Sequence, residues 1–258
     1  MQVKNISKSH DFLLFNPTDG ILPSVFTHTA RMRTVTYKIS YALKCLVTLS
    51  AFGGVILSLF TAKKDGYSHW SRRLLYFTAQ SNIWLGVTFL LLALLPFHKN
   101  TPPTYQSRLY VLKYVFTVSI AITGLVFCAL LAPFSDETYR PWTVCNVFTH
   151  VITPTLAIAD YFLDDFRLHL TTKHVFLSTL PPLAYCLFSS VLGAFHTDFG
   201  RGVEYPYFFL NYRSPAGIFG FSDQRPFFVG TFYWIVLFLL VVLGLGFLLL
   251  RNDNKKMQ

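Results

Sequence analysis

The chain has 258 residues, of which 53% are hydrophobic and only 13% charged. A soluble domain carries about 25% charged residues, so this composition excludes an ordinary soluble globule and points to a membrane protein. The net charge of +10 does not imply nucleic acid, because the basic residues flank apolar runs where they meet anionic headgroups, and no basic recognition module is present.

Residues 1–37 read as an N-terminal arm, cytoplasmic or interfacial, with a turn at Asn16-Pro17-Thr18-Asp19-Gly20. The start lacks the pattern of a cleaved leader, so the first long apolar helix is expected to serve as the insertion signal. Six apolar runs follow at 38–62, 74–97, 108–133, 142–163, 174–196 and 228–250, with a tail at 251–258. Each is long enough to span, since about 20 helical residues cross a hydrocarbon core roughly 30 Å thick. Lys44 and Lys113 lie near the ends of their runs, where a lysine can snorkel to the interface. Pro181-Pro182 predicts a kink or break in the fifth run. The connection 197–227, aromatic and rich in Gly and Pro, reads as a lid on the membrane surface rather than a loose linker. The expected fold is therefore an all-α integral membrane protein, a six-transmembrane-helix bundle over 38–250. A small excess of Lys and Arg on the side bearing both ends of the chain places the termini in the cytoplasm. Cys45, Cys128, Cys145 and Cys186 all sit in apolar runs without CxxC spacing and read as small core residues.

The fourth run is the unusual one. Thr143, Asn146, His150, Thr153 and Asp160 recur at helical spacing along one stripe, where a plain anchor would be apolar. On the second run Thr78, Ser81 and Asn82 share a face. Counted from the non-cytoplasmic side, Thr78 and His150 fall about four and eight residues deep, roughly 6 and 12 Å at 1.5 Å per residue, so the two polar faces can meet. A hydroxyl beside a neutral imidazole suggests nucleophilic catalysis, with Thr78 attacking and His150 as base. Asn82 or Asn146 could stabilise an oxyanion, with Ser81 in support. Asp160, about 15 Å beyond His150 along the axis, is too far to complete a triad and is assigned to structure or proton balance. The same spacing also fits hydroxyls bonded to their own helix and a histidine bridging two helices.

At these residues the sequence resembles a known family. FTAQSN (77–82), HVITP (150–154) with Asp160 ten beyond the His, and EYPYFF (204–209) are similar to motifs of the androgen-induced and androgen-dependent integral-membrane proteins, and more so to those of their bacterial relatives. The resemblance covers most of 38–250. It implies a six-helix membrane hydrolase of lipid esters, notably fatty acid esters of hydroxy fatty acids, with Thr78 as nucleophile and His150 as its partner. The chain departs from the animal proteins in Ala79-Gln80-Ser81 after the Thr, in Asp160 where Glu is common, and in a Pro one residue closer to the His.

Two other classes compete. His69, His150, His196 and Asp198 would lie toward one face and could form a catalytic zinc site, though no HxxxH or HExxH spacing fixes two ligands on one helix. A transporter or proton-coupled carrier would use Asp160 and His150 as an intramembrane ionisable site, with the Pro181-Pro182 break as a hinge. Under the hydrolase reading no cofactor is required, and the partners are the bilayer and a lipid ester, with no nucleic acid and the oligomeric state left open. Tyr205, Tyr207 and Arg213 are candidate substrate contacts, or an aromatic belt with a snorkelling arginine.

Overall fold

The computed structural model describes residues 23–98, 102–134, 140–164 and 168–256, with side chains described over 36–253 of these. The turn at 16–20 and the rest of the arm before Pro23 lie outside the described residues. Among the described residues the chain is helical, with no strand beyond an isolated bridge between Phe221 and Val229.

Helix α1 (Pro23–Thr61) starts inside the expected arm and runs through the first span without a break. Helix α2 is Phe77–Leu94. Helix α3 (Pro103–Val126) continues as a π-helical turn, Phe127–Leu131. The fourth run folds in three pieces: α4 (Val144–Val147), a π-helical turn (Phe148–Ile152), and α5 (Thr153–Leu163). Helix α6 (Thr172–Leu177) and helix α7 (Leu180–Ala194) are the halves of the fifth run. The break falls at Ser178–Thr179, just ahead of Pro181-Pro182. A proline without an N–H fits the first turn of a helix and not its middle, so α7 restarts where the prolines occupy that turn. Helix α8 is Thr231–Lys256.

Five helical segments are long and apolar enough to cross a membrane: Thr36–Thr61, Phe77–Phe97, Pro103–Leu131, Thr172–Ala194 and Thr231–Asp253. Large apolar side chains such as Leu49, Phe60, Leu187 and Leu240 are exposed on their outer faces. The segment 144–163 is instead the hub of the packing. Helix α1 packs on α2, α4 and α5, while α3 packs on α2, α5 and α8. Val47, Leu85, Phe89, Ile120 and Ala157 close the centre where α1, α2, α3 and α5 meet. A larger core around Tyr114, Val118, Tyr161 and Val242 joins α3 and α5 to α8, and the Tyr114 hydroxyl donates to the Gly246 carbonyl at 2.8 Å. Helix α7 is held more loosely, chiefly by α2 and the short 3-10 turn Phe208–Leu210.

The connection after α7 is a packed lid. Phe199 is fully buried, Ser68 donates to Asp198 at 3.2 Å, and Arg201 donates to the Asp65 carbonyl at 3.0 Å while lying over Tyr67. The lid is thereby fastened to the connection that leads into α2. Tyr207 reaches the start of that helix, edge-on to Tyr76 with ring centroids 5.7 Å apart.

Candidate active site

A partly open cavity lies among α2, α3, α7, α8 and the lid. Thr78, Thr123, His150, Tyr185 and Tyr207 supply its polar groups, and the rest of its wall is aliphatic or aromatic, with Phe77, Ile122, Pro182, Phe209 and Phe238 prominent. The two residues matched by depth in the sequence, Thr78 and His150, thus line one cavity.

Thr78 stands in the first turn of α2, where backbone N–H groups have no helical partner. Its N–H faces the Tyr207 hydroxyl oxygen at 3.4 Å, and its own hydroxyl lies 3.3 Å from the same oxygen. Because the Tyr207 oxygen accepts from the backbone, its hydrogen is left to donate to Thr78 Oγ1 or to an oxygen placed between them. Burial pushes the Tyr207 phenol up to about 12, despite the opposing hydrogen bonds from Thr78. It therefore stays a donor at ordinary pH.

His150 lies in the π-helical turn, buried and stacked on Phe127 with ring centroids 4.2 Å apart and planes 9° from parallel. Phe127 itself opens the π-helical turn of α3, so two local widenings face each other. The cause of the second is legible in the chain. Pro154 has no N–H for the His150 carbonyl four residues back, and Thr153 donates instead to Phe148, five residues back. The freed His150 carbonyl rests against Gly124, where a Cβ would come within 2.8 Å of it; glycine permits the approach. Nδ1 of His150 is buried with no hydrogen-bond partner among the described residues. A buried polar atom left unpaired costs about 1–3 kcal/mol, and the same ring also hydrogen-bonds the Thr123 backbone of α3 and so bridges two helices.

The π turn also divides the polar stripe expected on the fourth run. Thr153 hydrogen-bonds Ser50 of α1 at 2.7 Å and Asp160 also faces α1, whereas His150 faces α3 and the cavity. Asn146 donates from Nδ2 to the Pro141 carbonyl at 2.8 Å, and its N–H is capped by Thr143 Oγ1. Asn82 donates from Nδ2 to the Thr78 and Thr149 carbonyls at 2.8 and 3.2 Å, joining α2 to the π turn. Ser81 donates to the Thr78 carbonyl and pairs with Thr123 Oγ1, both at 3.2 Å. None of these three lines the cavity. Ser81 and Asn82 brace the Thr78 carbonyl and join it to the π turn, and the hydroxyl that faces Thr78 is that of Tyr207.

Of the other candidate substrate contacts, Tyr205 and Arg213 do not line the cavity either. Arg213 is ion-paired with Glu204, which also hydrogen-bonds His196 at 2.8 Å. That histidine bond, helped by the arginine, holds the exposed Glu204 carboxyl below the usual carboxylate range. The cluster fastens the end of α7 to the lid. The four proposed zinc ligands do not converge. His69 bonds Ser71, His196 bonds Glu204, and Asp198 caps the Gly200 and Gly202 amides. Among the described residues no group of three His, Cys, Asp or Glu side chains is placed to hold a metal.

Asp160 belongs to a second, separate constellation. Lys44 Nζ lies 3.1 Å from Asp160 and 2.9 Å from Asp164, and Lys113 Nζ pairs with both carboxylates. Ser40 donates to Asp160 at 2.7 Å. Neither lysine reaches an interface as expected. Lys113 is fully buried and Lys44 is only 11% exposed in its side chain, because opposed carboxylates on α5 hold them inside. This cluster ties α1, α3 and α5 together, and its Lys44 and Asp164 border a second, partly open cavity lined by Tyr37, Tyr41 and Gln106 among others.

No family model, curated protein or solved structure matches the chain.

Proposed function

We propose that the protein is a six-helix membrane hydrolase of long-chain lipid esters, with both termini in the cytoplasm. In this reading the segment 144–163 is the sixth span, its helix interrupted by the π turn that carries the base. The observation that carries the reading is the shared cavity: the Thr78 hydroxyl, the His150 ring and the Tyr207 hydroxyl line one largely apolar chamber.

The chemistry needs only these groups. Thr78 Oγ1 attacks the ester carbonyl carbon as His150 takes the hydroxyl proton. The carbonyl oxygen, now negative, takes a hydrogen bond from Tyr207, and the partial positive charge at the start of α2 favours it further. The carbon–oxygen bond to the alcohol breaks, and His150 returns its proton to the leaving oxygen. Water, activated by the same imidazole, then cleaves the acyl-threonine and releases the fatty acid.

The test is turnover of a long-chain ester by purified protein, with chelator added in parallel and folding of each variant verified. Thr78→Ala and His150→Ala are each expected to lower kcat/KM by at least about 100-fold, the usual contribution of a nucleophile and its base, with chelation harmless. A fully active Thr78→Ala protein would overturn the reading.

A further inference from the structure

The cavity also carries information about the charge of what enters it. Of its seventeen lining residues none is Lys, Arg, Asp or Glu, and His150 is the one basic side chain among them. Three arginines of the lid and of the connection into α2 are engaged elsewhere. Arg213 pairs with Glu204, Arg73 with Asp65, and Arg201 bonds the Asp65 carbonyl and lies over Tyr67. Lys44 and Lys113 are held by the Asp160–Asp164 pair around the second cavity. Among the described residues no Lys or Arg lines this chamber to pair with a carboxylate or phosphate seated in it, and burying an unpaired charge is strongly unfavourable.

The walls also indicate the route of entry. Pro182, Leu183 and Cys186 of α7 line one side of the cavity, and Ile235, Phe238 and Leu239 of α8 another. Yet α7 packs chiefly on α2 and the Phe208–Leu210 turn, and α8 on α3 and α6. The chamber thus runs between two helices with exposed apolar outer faces, Leu187 and Val191 on α7 and Val236 and Leu240 on α8. A molecule already dissolved in hydrocarbon can reach it without crossing a charged rim.

Building on the hydrolase reading, we infer that the substrate is a neutral lipid: an ester whose two arms carry no ionised group, such as a wax-type ester, an acylglycerol or an end-capped ester. It enters from the bilayer between α7 and α8, with the ester group held at the Thr78–Tyr207 end and both aliphatic arms in the apolar wall. Glycerophospholipids, and esters ending in a free carboxylate, are disfavoured by their charge rather than by their length.

A matched pair of substrates isolates that one variable. The internal ester of a long-chain acid with a hydroxy fatty acid is supplied as the free carboxylate and as its methyl ester, at alkaline pH where the carboxyl is ionised. Release of the acyl chain from the internal ester is followed by mass spectrometry. The capped form is expected to have a kcat/KM roughly tenfold higher or more, with both activities lost in Thr78→Ala. Equal or faster cleavage of the free acid, still dependent on Thr78, overturns the neutral-lipid inference and leaves the hydrolase reading standing. If neither form is cleaved, photo-crosslinkable versions of the pair decide. Preferential labelling of α7 and α8 by the capped form upholds the neutral ligand while the hydrolase reading falls. Preferential labelling by the free acid, or no labelling of these helices by either form, overturns both.

Discussion

At the scale of single residues, the hydroxyl of Tyr207 is the group whose role is most specific. Its oxygen accepts the Thr78 N–H and lies 3.3 Å from the Thr78 hydroxyl, so in the hydrolase reading its hydrogen is available to the nucleophile or to an oxygen bound beside it. Tyr207→Phe keeps the ring, with its stacking on Phe209, and removes the donor alone. An oxyanion donor is worth about 100-fold or more in kcat, so the variant is expected to lose about that much with KM little changed; an equal loss in KM would mark a binding contact instead. The pH dependence follows from the phenol. Its folded pKa is raised from 10.0 to about 12, so the stabilisation tied to the protonated form is complete below 10.0 and fades as pH rises toward about 12. Between neutrality and pH 10.0 Tyr207 should therefore contribute no fall in rate. A pH–rate profile of wild type against Tyr207→Phe checks this, since an alkaline fall below 10.0 that vanishes in the variant would contradict it. Thr78 was legible because it opens a polar i, i+3, i+4 face. The roles on that face were not legible: helical spacing puts Ser81 and Asn82 beside Thr78 but cannot say that both turn back onto its carbonyl.

At the scale of elements, the π turn around His150 is what separates a buried histidine from one that faces a cavity. Pro154 withdraws one hydrogen bond, the ladder widens over Phe148–Ile152, and the residues after it are turned relative to a regular helix. Pro154→Ala restores the missing donor and should let the segment relax to an α-helix, rotating His150 against Thr78. Thermal stability is expected to hold or rise while kcat falls by about 100-fold, since small misplacements of a catalytic group cost that much. Unchanged kcat in a variant whose structure has lost the π turn would show that the widening is incidental. Five of the apolar runs were readable to within about five residues of the segments long and apolar enough to cross a membrane, because hydropathy and proline placement are properties of the chain itself; the fourth run is not one of those segments. The π turns were not, since a periodicity of 3.6 assumes the regular ladder that Pro154 interrupts. For that reason the stripe from Thr143 to Asp160 looked like one face and proved to serve two: His150 faces the cavity, while Thr153 and Asp160 face α1.

At the scale of the whole molecule, the buried ions on α1, α3 and α5 set apart scaffold from site. The depth argument that paired Thr78 with His150 applies equally to the other end of the bundle. Lys44 and Lys113 open their runs and Asp160 and Asp164 close theirs, so alternating spans bring all four to one level. Two ammonium groups then meet two carboxylates. Removing one member should be costly and removing a matched pair much less so. Lys113→Met leaves two buried carboxylates sharing Lys44 and is expected to destabilise the fold by about 3–5 kcal/mol. Adding Asp160→Asn to it restores a single Lys44–Asp164 pair and should recover more than half of that loss in a thermal or denaturant melt. In the hydrolase reading the double variant, once folded, cleaves ester at a rate within a few-fold of wild type, because the ions lie outside the cavity that holds Thr78 and His150. A carrier that moves protons through Asp160 predicts the opposite, since the double variant has lost the titrating carboxylate. A folded double variant without ester turnover would mean that the ion cluster and the cavity work as one machine, and the separation of scaffold from site would fall with it.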